Sequence, residues 1–338
     1  MSLSAADALN LTAALRRMGL IEPDESPGLT PLTGGVSSLI VLAHTRAGPV
    51  CVKTALAQLK VAAQWFAPVE RNSAEVAWLR TASAIVPGEV PTVLGEDRES
   101  RAFAMAYLEP RDYPVWKGEL LAGRVDRSVA IRVGAMLADI HCASAHRADL
   151  AAAFANDDNF FALRLDPYLG AAALAHPDCA PALHALIETT AGHRIALVHG
   201  DVSPKNILCG GQGPVLLDAE CAWYGDPAFD LAFVLNHLLL KCAWLPTRAA
   251  DFLAAFDDLL DSYRRRIDWE APAALERRAA RLLAGLLLAR IDGKSPVEYL
   301  TEPAQREPVR AVARALLLAP PDTMAQLRAA WVRGLIDR

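Results

Sequence analysis

Residues 197–232, LVHGDVSPKNILCGGQGPVLLDAECAWYGDPAFDLA, restrict the fold more than any other stretch of the chain. An apolar run, Ile195–Val198, opens into the polar loop Gly200–Lys205, which carries Asp201 and, five residues on, Asn206 follows. Two further apolar runs, Ile207–Cys209 and Val215–Leu217, flank the glycine turn Gly210–Gly213, and Asp218 closes the second. A carboxylate at a strand end, an amide just beyond it and a second carboxylate after one strand–turn–strand unit suit phosphoryl transfer. A metal-bound triphosphate needs hard oxygen ligands, and the attacking hydroxyl needs a carboxylate to orient it and take its proton. Asp201 is the candidate base, and Asn206 and Asp218 are candidate ligands of Mg²⁺. A transition metal would call for His or Cys ligands, and Cys209 and Cys221 lack a second suitable pair. Asp and Asn are also ordinary turn residues. The set, rather than any one member, points to a nucleotide site.

Such a site needs a phosphate-binding partner, and residues 1–109 are patterned to supply one. After an amphipathic helix with Leu11, Leu15 and Met18 on one face and Gly19 at its end, Gly28–Val36 leads into Ser38–Ala43, a turn at Thr45–Gly48, and Val50–Lys53. The pair Gly34–Gly35 is either a plain tight turn or a loop whose backbone N–H groups approach phosphate oxygens, since no Cβ intervenes. Lys53 ends an alternating strand in which Val50 and Val52 share one face and Cys51 and Lys53 the other. It is either a solvated edge charge or a point charge for the α- and β-phosphates, the latter requiring an acidic partner on a following helix. The helix predicted over Ser73–Ser83 offers Glu75, with Glu70 as second choice; Asn72 and Glu75 are also spaced as a capping box. Strands are predicted over Val90–Val93 and Ala102–Tyr107, separated by the polar turn Gly95–Arg101, and Pro110 marks a hinge.

Residues 110–338 read as mostly helical. The segment Arg127–Ala145 is apolar at Val129, Ile131, Val133, Leu137 and Ile140, with His141 as a packed or capping residue. Further helices are expected over Asn159–Leu174, broken at Pro167, and over Ala180–Gly192, Leu231–Lys241, Arg248–Arg266 and Pro272–Ile291, with two more closing the chain. A length of 338 residues with 53% hydrophobic and 22% charged residues predicts two lobes, each with its own core. The net charge of −5 and scattered basic residues disfavour a nucleic-acid partner. No apolar run approaches a bilayer-spanning length and no leader pattern opens the sequence, so a cytoplasmic location without a membrane partner is expected. The six cysteines show no paired spacing and read as buried thiols.

The phrases HGDVSPKN, LLDAE and YGDPAFDLA resemble the aminoglycoside phosphotransferase and choline kinase-like family, small-molecule kinases related in fold to protein kinases. The resemblance runs through the whole chain in order. It implies an α+β, bilobal protein-kinase-like fold: a small antiparallel β-sheet N-lobe at 1–109 and a larger, mainly α-helical C-lobe at 110–338. It further implies ATP and Mg²⁺ as cofactors, a small-molecule hydroxyl as substrate, Asp201 as base, Asn206 and Asp218 at the metal, and Lys53 with Glu75 at the phosphates. Gly34, Gly35 and Ser37 would form the phosphate loop, Met105–Glu109, with Met105 and Tyr107, would contact adenine, and Asp230 would brace the catalytic loop. The chain departs from protein kinases in lacking G-x-G-x-x-G, an arginine before Asp201, Phe-Gly after Asp218 and an activation segment, which disfavours protein substrates. The rival to a catalyst is a nucleotide-binding pseudokinase acting as an interaction module.

The phrase DAECAWYGDPAFD also resembles methylthioribose kinases, and ARIDGKSPVEYL is faintly similar to their C-terminal arginine segment, so Arg290 or Lys294 either reaches the active site or is a solvated helix-end charge. A polycationic aminoglycoside would want acids on the second lobe. Asp257, Asp258 and Asp261 form such a group, but Arg264, Arg265 and Arg266 follow at helical spacing and are expected to neutralise it. A neutral or weakly charged sugar or amino alcohol is the acceptor the sequence favours.

Overall fold

The computed structural model describes residues 3–32, 38–55 and 71–336. The chain divides into two compact units, Met1–Asp112 with Leu217–Glu220, and Tyr113–Leu216 with Cys221–Arg338. This is the bilobal α+β architecture of the protein-kinase-like folds.

In the first unit, helix α1 (Ala5–Arg17) precedes strands β1 (Gly28–Pro31), β2 (Ser38–Thr45) and β3 (Gly48–Ala55), helix α2 (Arg71–Ile85), and strands β4 (Val93–Asp97) and β5 (Ala102–Ala106). The strands form an antiparallel sheet in the order β1-β2-β3-β5-β4. Ser4 caps α1 by accepting from the Asp7 amide at 3.1 Å, and Leu11, Ala14 and Leu15 bury against Val41, Ala43, Val50, Val52, Ala102 and Ala104. Because strand side chains alternate, the opposite face of β3 carries Lys53, paired in register with Ile40 and Phe103.

Two expectations in this unit change. Strand β4 begins at Val93 and runs through Gly95, Glu96 and Asp97, which read as turn residues in the sequence. It is an edge strand, where polar side chains are tolerated: Glu96 pairs with Arg80 at 3.0 Å and Asp97 with Arg17 at 2.6 Å. Gly95 is required there, since a Cβ would lie 2.9 Å from the Cβ of Met18. The capping box also fails, because Asn72 lies inside α2, donating from Nδ2 to the Arg101 carbonyl at 2.6 Å.

The second unit runs α3 (Trp116–Leu121), α4 (Arg127–Ser144), α5 (Ala148–Ala153), α6 (Asp157–Phe160), a π-helical segment Phe161–Gly170, α7 (Ala171–Ala175) and α8 (Ala180–Gly192). Then come β6 (Ala196–Val198), a 3₁₀ turn Pro204–Asn206, β7 (Ile207–Gly210), β8 (Gly213–Leu216), β9 (Trp223–Gly225), α9 (Ala228–Trp244), α10 (Ala249–Arg264), α11 (Pro272–Asp292), α12 (Pro303–Leu318) and α13 (Met324–Trp331). Helix α9 is buried on nearly every side and packs on α10, α11 and α12, which explains why its sequence is apolar all round. Pro167 does not break its helix; the wider π register spans it without the amide that proline lacks. Ile131, expected in the core of α4, is 42% exposed. Strand β9, missed in the sequence, pairs with β6 through Leu197↔Tyr224. The six cysteines are free thiols. Among the described residues no helix is long and apolar enough to cross a membrane.

Candidate active site

In the first unit, Lys53 is the centre of a buried charge cluster. Its Nζ lies 2.7 Å from Glu75 Oε2 and also hydrogen-bonds to Asp218 Oδ1. Burial opposes the charge of Lys53, but Asp218 and Glu75, with Glu220 beyond them, outweigh it and raise its pKa. Burial lifts Glu75 to about 7 against the pull of Lys53. Asp218 follows β8 with a left-handed backbone, φ 67°, which a short polar residue tolerates better than a branched one. Two residues on, Glu220 accepts from the buried Arg71 at 3.0 Å. Lys53, Glu75 and Asp218 are thus brought together, and the Arg71–Glu220 pair, not singled out in the sequence, ties the Asp218 segment to α2. Met105 sits on β5 opposite Cys51, buried, and Tyr107 follows the strand, half-buried. Gly34, Gly35 and Ser37, and the second-choice Glu70, lie outside the described residues.

In the second unit, Asp201 leaves the end of β6 in a loop held by backbone contacts. The buried Asp230 accepts from the amides of His199 at 2.7 Å and Gly200 at 2.9 Å, and Asp230 is itself met by His141 Nε2 at 3.3 Å, whose Nδ1 lies 2.8 Å from the Tyr263 hydroxyl. His141 is thus the packed histidine the sequence suggested, and its partner is the loop-bracing aspartate. Gly200 has φ 79°, and a Cβ there would stand 2.6 Å from the Cys221 carbonyl oxygen. The Asp201 amide donates to His199 Nδ1 at 3.1 Å, so that nitrogen is unprotonated.

The carboxylate of Asp201 faces two cations. Arg164 Nη2 is 2.9 Å and Lys205 Nζ 3.0 Å from Oδ2. Arg164 is buried; its other nitrogens donate to the carbonyls of Gly200 and Leu163, so it holds the loop and the carboxylate together. Arg164 was not singled out in the sequence. The available signal was a lone arginine in the otherwise apolar run FALRL. Asn206 donates from Nδ2 to the Asp201 carbonyl at 3.0 Å, which fixes its amide and turns its oxygen to the other side. The amide oxygen of Asn206 and the carboxylate of Asp218 are each hard donors of the kind Mg²⁺ prefers, and among the described residues no group of three or more His, Cys, Asp and Glu side chains could hold a metal ion.

The acidic group on α10 is neutralised differently from the expectation. Asp257 pairs with Arg328 at 2.8 Å and Asp258 with Arg127, while Arg264 and Arg266 turn to Glu276 and Asp139. The two C-terminal cations separate: Lys294 is exposed and pairs with Asp166 at 3.1 Å, whereas Arg290 is buried.

Comparison with known proteins follows the same lines. The family model described as "Phosphotransferase enzyme family" matches residues 28–269. The methylthioribose kinase of Pectobacterium atrosepticum is 29% identical over 227 residues, covering 58% of this chain and 55% of that protein. The chain spans about half the length of the curated relatives it matches. An ethanolamine kinase of Plasmodium vivax has a similar structure at TM-score 0.59 and 10% identity, over 98% of this chain and 91% of that one. A choline/ethanolamine kinase family protein of Mesorhizobium loti is similar at TM-score 0.52 and 17% identity, over 96% and 99%. At these identities the structural likenesses establish the fold.

Proposed function

The chain belongs to the phosphotransferase enzyme family, and from that premise we propose that it transfers the γ-phosphoryl group of ATP to a hydroxyl of a small molecule, with Asp201 as the base. The observation that carries the reading is the Lys53 cluster: a buried ammonium on β3 held by a helix carboxylate and by Asp218. A lysine buried at such a desolvation cost, with two carboxylates aligning it, suits a fixed point charge for phosphate oxygens.

In the proposed reaction the acceptor hydroxyl oxygen forms a bond to the γ-phosphorus. The bond from that phosphorus to the β,γ-bridging oxygen breaks, its electron pair leaves with ADP, and the hydroxyl proton passes to the Asp201 carboxylate. Asp201 orients the hydroxyl, and Arg164 and Lys205 fix the carboxylate while it does so. Asn206 and Asp218 are the proposed oxygen ligands of Mg²⁺, which when bound neutralises charge on the phosphates. Positioning and electrostatics carry most of such a reaction, so the stiffness of the Asp201 loop is part of the chemistry.

A screen of the full chain with Mg²⁺ and ATP against a broad metabolite and sugar library, read by mass spectrometry for gain of one phosphate, tests this. A phosphorylated product is expected, and Asp201→Asn should lower its formation by ~10²–10⁴-fold while the protein stays folded by circular dichroism. A nucleotide-binding module without turnover would yield no product and an ATP turnover indifferent to Asp201→Asn, which would refute the proposal.

A further inference from the structure

Helix α9 buries polar groups that the described structure leaves unsatisfied. Lys241 has no exposed surface, and its Nζ has no hydrogen-bond partner; it rests on the face of Tyr299, 3.6 Å from the ring centroid. One turn earlier His237 is buried, with Nε2 unpartnered and its ring edge-on to Phe233 at 5.5 Å. Arg290, from α11, uses Nη1 on the Ser295 hydroxyl at 3.0 Å and on the Tyr168 hydroxyl at 3.4 Å, while its Nε stays unpartnered. The Tyr299 hydroxyl is unpartnered as well. Lys117 and Lys205 add positive charge near enough to act on His237. The anion facing the group is Glu298, and Lys117 already engages it at 2.5 Å. A buried group of unpartnered donors with cationic side chains among them is costly, and native folds rarely keep one without a ligand or partner to meet it.

Ring contacts connect this cluster to the candidate base. Arg164, which holds Asp201, lies over Tyr168 at 5.8 Å and over Phe233 at 6.0 Å. Arg290 lies over the same Tyr168 ring at 5.6 Å, and His237 touches the same Phe233. The Tyr168 and Phe233 rings therefore lie between the arginine that holds Asp201 and the buried cluster. Arg290, Tyr299 and His237 keep 9%, 7% and 6% of their surface exposed where Lys241 keeps none, so the first three lie nearer the surface and the Lys241 amine deeper.

We propose that this cluster receives an acidic group of the acceptor, so that the substrate is a hydroxy acid: its anionic oxygens meet Arg290, His237 and Tyr299 before the Lys241 charge, and its hydroxyl is presented to Asp201. This deepens the kinase reading and rests on it. It departs from the neutral acceptor that the sequence favours, because the cations lie on separate helices and loops and assemble only in the fold. A carboxylate and a phosphate monoester share the required chemistry.

Matched probes distinguish the sources and test the idea on the full chain. Glycerate against glycerol and gluconate against glucose form the carboxylate arm; glucose 6-phosphate against glucose forms the phosphate arm. Thermal stabilisation is read for each probe in the wild type and in Asp201→Asn, and product formation with Mg²⁺ and ATP in the wild type. The acidic member of at least one pair should stabilise both proteins and, where phosphorylated, show a KM ~10-fold or more below its neutral counterpart, as expected of a charge-assisted contact. Lys241→Met, which keeps the length of the stem and should fold, is expected to abolish the difference within the pair; Arg290→Met provides the second variant. Equal response to acidic and neutral members, no stabilisation by any acid, or an acid preference that survives Lys241→Met would overturn the inference and leave the kinase reading standing. An ATP turnover unchanged by Asp201→Asn would remove the kinase reading itself.

Discussion

Lys241→Met should make the protein more stable, and the size and pH dependence of the gain follow from where the side chain sits. Burial, acting first, and the charges of Lys117 and Arg290 lower the Lys241 pKa from its ordinary 10.5 to about 7, with Glu298 pulling the other way. At ~1.4 kcal/mol per tenfold change in proton affinity, this interval sets an upper limit of ~5 kcal/mol on what methionine recovers. The lost contact with the Tyr299 face offsets ~1–2 kcal/mol of that, and replacing buried ionic groups by apolar ones typically gains ~1–4 kcal/mol. A gain of ~2–3 kcal/mol is therefore expected. Above pH 7 folded Lys241 is already neutral, whereas the unfolded side chain releases its proton only near 10.5. The wild type thus gains stability from this group as pH rises from about 7 toward 10.5, and the advantage of methionine is full below about 7 and shrinks above it. Urea denaturation of both proteins at pH 6.5, 8 and 9.5 reads this directly. A variant less stable than wild type at pH 6.5, or a gain that does not shrink with pH, would refute the reasoning. A residue that destabilises the fold is the kind expected where binding, rather than stability, maintains it.

Other residues give sharper local tests. Lys53→Met leaves Glu75 and Asp218 without their shared cation and should cost ~3–5 kcal/mol of stability; adding Glu75→Gln should restore part of it, and a strictly additive loss in denaturation would show the pair to be uncoupled. Asp230→Ala removes the acceptor of two buried amides and should cost ~3–6 kcal/mol at ~1.5–3 kcal/mol for each hydrogen bond to a charged group, while lowering kcat more than it raises the acceptor KM; a loss below ~1 kcal/mol would mean that the loop is braced elsewhere. Gly200→Ala meets both the positive φ and the Cys221 carbonyl, and a melting temperature within about 1 °C of wild type, where a loss of ~1–3 kcal/mol is expected, would contradict the close approach.

What was readable in the sequence and what was not divide along a physical line. Lys53 alternates with Val50 and Val52 on one strand, and Glu75 belongs to the helix that follows, so period and order alone bring them together. Asp201, Asn206 and Asp218 lie within a short run of strand and turn, where local chemistry limits the geometry. Arg164, by contrast, reaches Asp201 from a π-helical segment 37 positions earlier, and nothing in its own neighbourhood specifies that partner. Arg71 is separated from Glu220 by 149 positions. The α9–α11 cluster is the extreme case: His237 and Lys241 interrupt an apolar helix in a way that reads as a break in hydrophobicity, and Arg290 reads as a helix-end charge. Only the packing of α9 against α11 reveals that these are buried together. Local pattern thus points to the proposed transfer chemistry, which needs few residues at close spacing, whereas the proposed acceptor cluster is built from side chains that distant helices bring to one place.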